Sequence, residues 1–473
     1  MAEMHAYRKS VYSTMLAKSI FYGSSFIALW LANQILDKAE YGHYVLAVSL
    51  MWFLSVAASL GLDQTLLVRV ARIQSGQAKS NLLSTALVTT VCAGSLGAAG
   101  LMVMADPLAK LLGLSGVGPW FAMLAVTVPL IGIAALFESW YIARGDTWRG
   151  QLYPALGHAV RVPLFAIAFL TDGGMAWIVV AEILVAVVPI CLFLADRTRP
   201  GFLRPHTPTR EEMTFGSQLL LSRLTNEGTR RIDVFMLGAV GTAVAVADYH
   251  VAARLVVLLD LGRELLQPAF IKRAGNLLAL GSKEAAQDEY DAVRGTSLLI
   301  SLVIACGLLL LGAPFLTLIG DFSSAIPAFM VLIGGGLINA AFGPSWNILK
   351  LANQPTRLLA IRLTMLAALI AGNIVLIPMM GALGAALTSL AAATLANVLL
   401  WRTMAKVEGL ALIDGLTLLI LVPALAAILL VAFDLMAPVF GAAALVVLTI
   451  GYVCASPVSW SAALAALIPA RSR

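Results

Sequence analysis

Eleven residues near the middle of the chain, Arg223 to Asp233, read Arg-Leu-Thr-Asn-Glu-Gly-Thr-Arg-Arg-Ile-Asp and carry five ionisable side chains. They lie inside a segment, Phe215 to Gly241, long enough to cross the roughly 30 Å of a bilayer core as a helix. At about 100° per residue, Arg223, Asn226, Glu227 and Arg230 share one helical face, with Arg231 beside them. A charge at the centre of a membrane helix costs roughly 2.5 to 3.5 kcal/mol, so this stripe faces a partner helix or a water-filled cavity, not lipid. Arginine outnumbers acid along it, so the surroundings it creates are cationic.

Other ionisable residues fall within apolar stretches. Lys18, Arg161 and Arg254 are further cations at membrane depth, while Arg263, Glu264 and Arg362 lie near span ends, where an interfacial role is expected. Glu138, Glu182, Glu227, Asp233 and Asp260 are candidates for an ion or proton relay, the usual work of intramembrane carboxylates. Three of these ionisable residues have a plainer alternative. Glu227 pairs with Arg223 or Arg230 along its own helix, Lys18 snorkels to the inner surface, and Glu138 pairs with Arg144. Cys92, Cys191, Cys306 and Cys454 lie in apolar runs without metal-ligand spacing, so neither a metal nor a disulfide framework is expected. A nucleotide-binding loop is missing from the sequence, and no cofactor is expected.

These residues need elements to hold them, and composition says which. With 60% hydrophobic and 12% charged residues and a mean hydropathy of +0.92, the chain reads as an all-α polytopic membrane protein. Spans are expected near 10 to 36, 41 to 62, 80 to 104, 119 to 143, 150 to 171, 174 to 195, 215 to 241, 243 to 268, 295 to 319, 326 to 350, 357 to 380, 382 to 402, 411 to 433 and 437 to 458, about fourteen in all. The first is too long for a signal peptide and is read as retained. Segments 63 to 81 and 271 to 293 are expected to form amphipathic helices at the inner surface. Pro129, Gly334-Gly335-Gly336 with Pro344, and Pro378 are expected to weaken or kink their helices.

Between the spans, Lys and Arg fall almost entirely on alternate connections, leaving only Lys38 and Lys110 on the others. By the positive-inside rule both termini are cytoplasmic. The net charge of +6 is thus a topology signal, and nucleic acid is not an expected partner. A shift of 208 residues pairs Ala39 with Ala247, Tyr41 with Tyr249, Pro119 with Pro327, Phe121 with Phe329, Arg149 with Arg357 and Gly173 with Gly381. The expected organisation is a six-helix lobe over 1–196, a cytoplasmic linker over 197–214, a second six-helix lobe over 215–410, and two extra helices with a tail over 411–473. An even helix number gives both lobes the same orientation.

Ala39-Glu40-Tyr41-Gly42-His43-Tyr44, Leu60-Gly61-Leu62, Arg231-Ile232-Asp233, and Ala247-Asp248-Tyr249 through Arg254 occur in a fixed order along the chain. Gln267-Pro268, Leu351-Ala352-Asn353-Gln354-Pro355, and Pro378-Met379-Met380-Gly381 follow. In these motifs the chain resembles the polysaccharide flippases of the multidrug/oligosaccharidyl-lipid/polysaccharide exporter superfamily, over nearly its whole length. His250 departs from the pattern, which favours a small residue there.

The resemblance implies a transporter, not an enzyme, of a bacterial inner membrane. Its cargo is a polyprenyl-pyrophosphate-linked oligosaccharide for O-antigen, lipopolysaccharide or exopolysaccharide synthesis, flipped to the periplasmic leaflet by alternating access. The implied partners are membrane lipids, a polysaccharide polymerase and a chain-length regulator. For such a cargo, Arg223, Arg230, Arg231, Arg254, Arg161, Lys18 and Asn226 are the expected phosphate and cavity residues, because guanidinium stays charged and forks onto phosphate oxygens. Trp30, Trp52, Trp140, Trp148, Trp177 and Trp346 are candidates for stacking on sugar, or form interfacial belts. An ion gradient, a substrate gradient or product-consuming enzymes would drive transport. A lipid II flippase and a multidrug cation antiporter are alternatives on the same fold; a membrane polymerase would want a larger outer loop.

Overall fold

In the computed structural model, described residues are 2–70, 75–111, 117–196, 210–352, 354–407, 411 and 413–455, and every regular element among them is helical. Most of the expected linker, with Arg197, Arg199 and Arg204, lies outside these residues, as do Asn353 and the tail with Arg471 and Arg473. The first helices are α1 (Ala2–Ile35), α2 (Lys38–Ala58), α3 (Leu62–Arg69), α4 (Gly76–Leu111), α5 (Gly118–Leu124) and α6 (Thr127–Ala143). There follow α7 (Thr147–Ala159), α8 (Arg161–Leu170), α9 (Gly174–Ala195), α10 (Arg210–Val240), α11 (Ala243–Val256), a 3-10 turn Val257–Asp260, and α12 (Leu261–Ala279). The chain continues through α13 (Lys283–Ile319), a 3-10 turn Ser323–Ala325, α14 (Ile326–Ala341), α15 (Ser345–Leu351), α16 (Pro355–Met380), α17 (Ala382–Val407), α18 (Gly415–Ala432) and α19 (Pro438–Ala455). By internal contacts it divides into two compact units, Met1–Arg231 and Ile232–Arg473.

Among the described residues, eleven helices are long and apolar enough to cross a membrane, or twelve when the bent pair α5 and α6 counts as one span, against the fourteen expected. The two missing are the expected spans 215 to 241 and 243 to 268. Length does not fail the first, since α10 runs unbroken for 31 residues; its charges take it below the hydropathy of a span. The second contains the 3-10 turn at Val257–Asp260 and carries Asp248, Arg254 and Asp260, more charge than a span holds.

Local chemistry explains where helices start and stop. Asp37 and Glu40 close a reciprocal capping box at α2, the Glu40 amide donating to Asp37 at 2.8 Å and the Asp37 amide donating to Glu40 at 3.1 Å. Between α5 and α6 the chain bends by 45°. Pro129 accounts for it, because its ring clashes with the carbonyl four residues back, at Ala125, where α5 ends. Likewise α14 stops before Pro344, and Gly343 turns with φ +51°. In contrast, Gly334 to Gly336 run straight through α14. There the missing side chains admit Leu425 and Leu259, so these glycines serve packing. Pro378 stays within α16, two residues from its end.

The expected surface helices also differ from the structure. Segment 63 to 81 holds the short α3 and the start of α4, while 271 to 293 is the end of α12, a turn through Gly281, and the start of α13.

In the first unit, Leu62, Leu66, Leu136, Phe137, Trp140, Tyr141 and Phe193 form a buried core under α3. At the adjoining turn, Gly61 has φ +74° and the Gly216 carbonyl occupies the place of its absent Cβ, so α10 packs directly on this backbone. In the second unit α14 packs against α11, α13, α17 and α18, and α13 against α19. The residues paired by the 208-residue shift occupy matching places. Pro119 and Pro327 open α5 and α14, Phe121 and Phe329 are buried just beyond, and Gly173 and Gly381 precede α9 and α17.

Candidate functional site

Because α10 is continuous from Arg210 to Val240, its polar stripe lies on one regular helix face. Each charge on it has a different environment. Arg223 forms an ion pair with Asp63 at the start of α3. Asp63 is buried and accepts two more hydrogen bonds, from Ser59 Oγ and Gln64 Nε2, both at 2.9 Å. Glu227 turns to Arg231, 3.5 Å away and one helical turn on; Arg223 and Arg230, its expected partners, are not used. Arg230 is exposed and has no hydrogen-bonding or ionic partner among the described residues. Asn226, half-buried, has none either.

From Arg231, the last residue of the first unit, a line of contacts runs through that unit. Its guanidinium lies 6.0 Å from the centre of the Trp52 ring, within cation–π range. Trp52 stacks on His158 at 6.1 Å and an interplanar angle of 11°. His158 Nδ1 is 3.0 Å from Arg161 Nη1. Arg161 grips Glu182 with two hydrogen bonds of 2.7 Å, from Nε and Nη2, and Tyr44 donates to the same carboxylate at 2.7 Å. Thus α10, α2, α7, α8 and α9 are joined by side chains whose charges cancel in pairs. Lys18, on α1, lies 6.0 Å from the Tyr22 ring centre.

The second unit treats its carboxylate differently. Asp233 is buried, and among the described residues only neutral groups bind it: Asn373 Nδ2 donates to Oδ1 at 2.8 Å, and Tyr249 OH and Ser389 Oγ donate to Oδ2 at 2.7 and 2.6 Å. The Asn373 carbonyl oxygen is buried without a donor. Three oxygen-bearing side chains, from α11, α16 and α17, therefore gather around one acid on α10, an arrangement that a proton or a small cation can neutralise.

Outside these clusters, Arg254 is exposed and hydrogen-bonds His250 at 3.2 Å. Asp260 pairs with Arg263 at 2.7 Å. Glu138 has no hydrogen-bonding or ionic partner among the described residues, and the expected partner Arg144 lies over Trp140 instead, 5.6 Å from its ring centre.

Sequence reasoning did not single out Tyr44, Asp63, His158, Asn373 or Ser389 for these clusters. Asn373 carried the strongest signal, an amide in an apolar helix where a bare polar group costs several kcal/mol.

A family model described as polysaccharide biosynthesis protein matches residues 7–262. No curated protein matches the chain. Among solved structures, one of lipid II flippase MurJ in an inward closed conformation aligns with a TM-score of 0.72 at 11% identity, covering 93% of this chain and 98% of that one. A MOP superfamily transporter from Pyrococcus furiosus, described with a binding pocket of reverse polarity, aligns with a TM-score of 0.64 at 16% identity, over 85% of this chain and 95% of that one. An inward-facing multidrug resistance MATE family transporter gives 0.65 at 14%, over 81% and 96%. At such identities the likeness is one of fold.

Proposed function

The chain belongs to the polysaccharide biosynthesis protein family, and from that premise we propose that it flips a polyprenyl-pyrophosphate-linked oligosaccharide across a bacterial inner membrane by alternating access. The observation that carries this reading is Arg230. An exposed guanidinium with no counter-ion among the described residues, on a membrane-length helix, suits an anion that arrives and leaves. Arg231 stands beside it with one acid between them, so the pair keeps net positive charge for a pyrophosphate.

In this reading Arg230 and Arg231 take the phosphates. Arg223 and Arg161, each held by a carboxylate, supply field more than contact. Asn226, Lys18 and Arg254 offer further donors to phosphate and sugar. Binding is moderate, because a carrier must release what it lifts. Asp233 is the coupling group, neutralised by a proton or a monovalent cation during the cycle, with Glu138 as a second acid and Glu182, Glu227 and Asp260 held by arginine. Both termini are cytoplasmic, and a polymerase and a chain-length regulator consume the product.

A multidrug cation antiporter fits less well, since α10 presents cations where such a cargo wants acids. Lipid II presents the same pyrophosphate, and separate vesicle assays with each lipid decide between the two cargoes. The decisive variant is Arg230→Ala with Arg231→Ala, tested in reconstituted vesicles. Loss of at least about tenfold in flipping with the protein still folded is expected; wild-type flipping by the double variant sinks the assignment.

A further inference from the structure

Between Asp321 and Glu408 the sequence contains no carboxylate, yet it carries Lys350, Arg357, Arg362, Arg402 and Lys406. Helices α14 with α15, then α16, then α17 fill this stretch and pack on one another. Their alternation brings all five cations to one end of the second unit, the end that the loop charges assign to the cytoplasm. Excess positive charge at that end is ordinary. The arrangement of three residues within it is not.

Trp346 and Lys350 are one turn apart on α15 and so share a face. From α16, Arg362 lays its guanidinium over the Trp346 ring, 5.3 Å from the centre, about two turns in from the start of its helix. Lys350 and Arg362 are near enough to act on one another as like charges. Neither has a carboxylate partner among the described residues. Helix α12, which also packs on α15, brings no acid close. Glu264 is eleven residues from Gly275, where α12 meets Leu351, or about 16 Å along the axis. Arg273, on the same helix, pairs with Glu289.

Two cations held together with an indole, and with no counter-ion among the described residues, make an anion site in all but the anion. We infer that Trp346, Lys350 and Arg362 bind the phosphate group of a membrane lipid at the cytoplasmic end of α15 and α16. The geometry suits that ligand. Indole rests at head-group depth, the guanidinium fork is oriented by stacking, and the ammonium closes on the remaining phosphate oxygens. Basic pockets between membrane helices on the inner side take phospholipid head groups in this way. The phosphate can come from an anionic phospholipid or from a polyprenyl pyrophosphate. The inference stands apart from the cargo reading, since a phospholipid alone satisfies it.

The test is native mass spectrometry of the full chain in detergent, titrated separately with phosphatidylglycerol, a polyprenyl pyrophosphate and the phosphate-free diacylglycerol. Wild type should bind one or both phosphate lipids and not diacylglycerol. K350Q/R362Q should bind about tenfold or more weakly, while R402Q/K406Q, which removes equal charge from the same end, should bind as wild type. Lys350→Arg, which keeps the charge, should stay within about twofold of wild type. Weakening toward both lipids marks a general phospholipid site, and weakening toward the pyrophosphate alone marks a landing point for cargo; both support the inference. Undiminished binding by K350Q/R362Q overturns it, as does an equal loss in R402Q/K406Q or a comparable loss in Lys350→Arg. Flipping lost in the α10 variants with this binding intact separates the failure of one reading from that of the other.

Discussion

Glu182 and Asp233 are both buried carboxylates, and their surroundings answer the cost of burial by opposite routes. Glu182 receives a bidentate arginine, so the pair is neutral in place. Arg161→Ala therefore leaves a charged acid against Tyr44 alone and should lower stability by roughly 3 to 5 kcal/mol, whereas Arg161→Met with Glu182→Leu should recover most of it. Thermal unfolding in detergent measures both; equal losses would show that the pair does not act as one unit. Asp233 has no cation to lose. Asp233→Asn keeps an acceptor for the same donors, so folding should survive while ion-driven flipping falls about tenfold or more. Flipping by Asp233→Asn that still follows the imposed gradient at the wild-type rate would remove Asp233 from the coupling role. The sequence pointed to both acids, because charge within an apolar run is visible residue by residue. Their partners were not legible: Asn373 and Ser389 lie 140 and 156 residues from Asp233, and no local pattern connects such distances.

Element lengths and types follow from apolar run length, and this is why the helices were readable. Breaks were only partly so. Pro129 acts one turn upstream through the Ala125 carbonyl, while the Gly334 run, equally suggestive in sequence, admits neighbouring leucines and stays straight. The same limit applies to the last two helices, which the repeat leaves out. In the structure they are fastened to α13. Buried Arg294 donates to Asp414 and Thr417 at 2.9 and 3.0 Å and pairs with Asp291 at 2.9 Å, and Gln287 exchanges two hydrogen bonds with the Ala411 backbone. Burial pushes the Asp414 carboxyl up, but the hydrogen bonds from Arg294 and Thr417 outweigh it and hold it below its ordinary value of 3.8. A lowered folded value means that this stabilisation is complete above the ordinary value and is lost as pH falls through the folded one. The unfolding temperature should accordingly drop on acidification below about pH 4, and Asp414→Asn should flatten that part of the profile. An unchanged slope in Asp414→Asn would show that α18 is held by packing alone.

For the molecule as a whole, orientation in the membrane decides what the charged ends can meet. Helix counts cannot supply it; the loop charges give the expectation, because only Lys38 and Lys110 fall on one side. With Cys92, Cys191, Cys306 and Cys454 first replaced, Lys110→Cys should react with a membrane-impermeant maleimide added to intact cells. Lys406→Cys, also exposed, should react only after permeabilisation. The reverse pattern would turn the chain over. In the proposed function Arg230 and Arg231 would still take phosphate, but Lys350 and Arg362 would face the outer leaflet. A phosphate lipid made in the cytoplasm would have no site at which to land. If the proposed function holds, orientation therefore decides whether the cations of α15 and α16 can meet a lipid made on the cytoplasmic side before it is flipped.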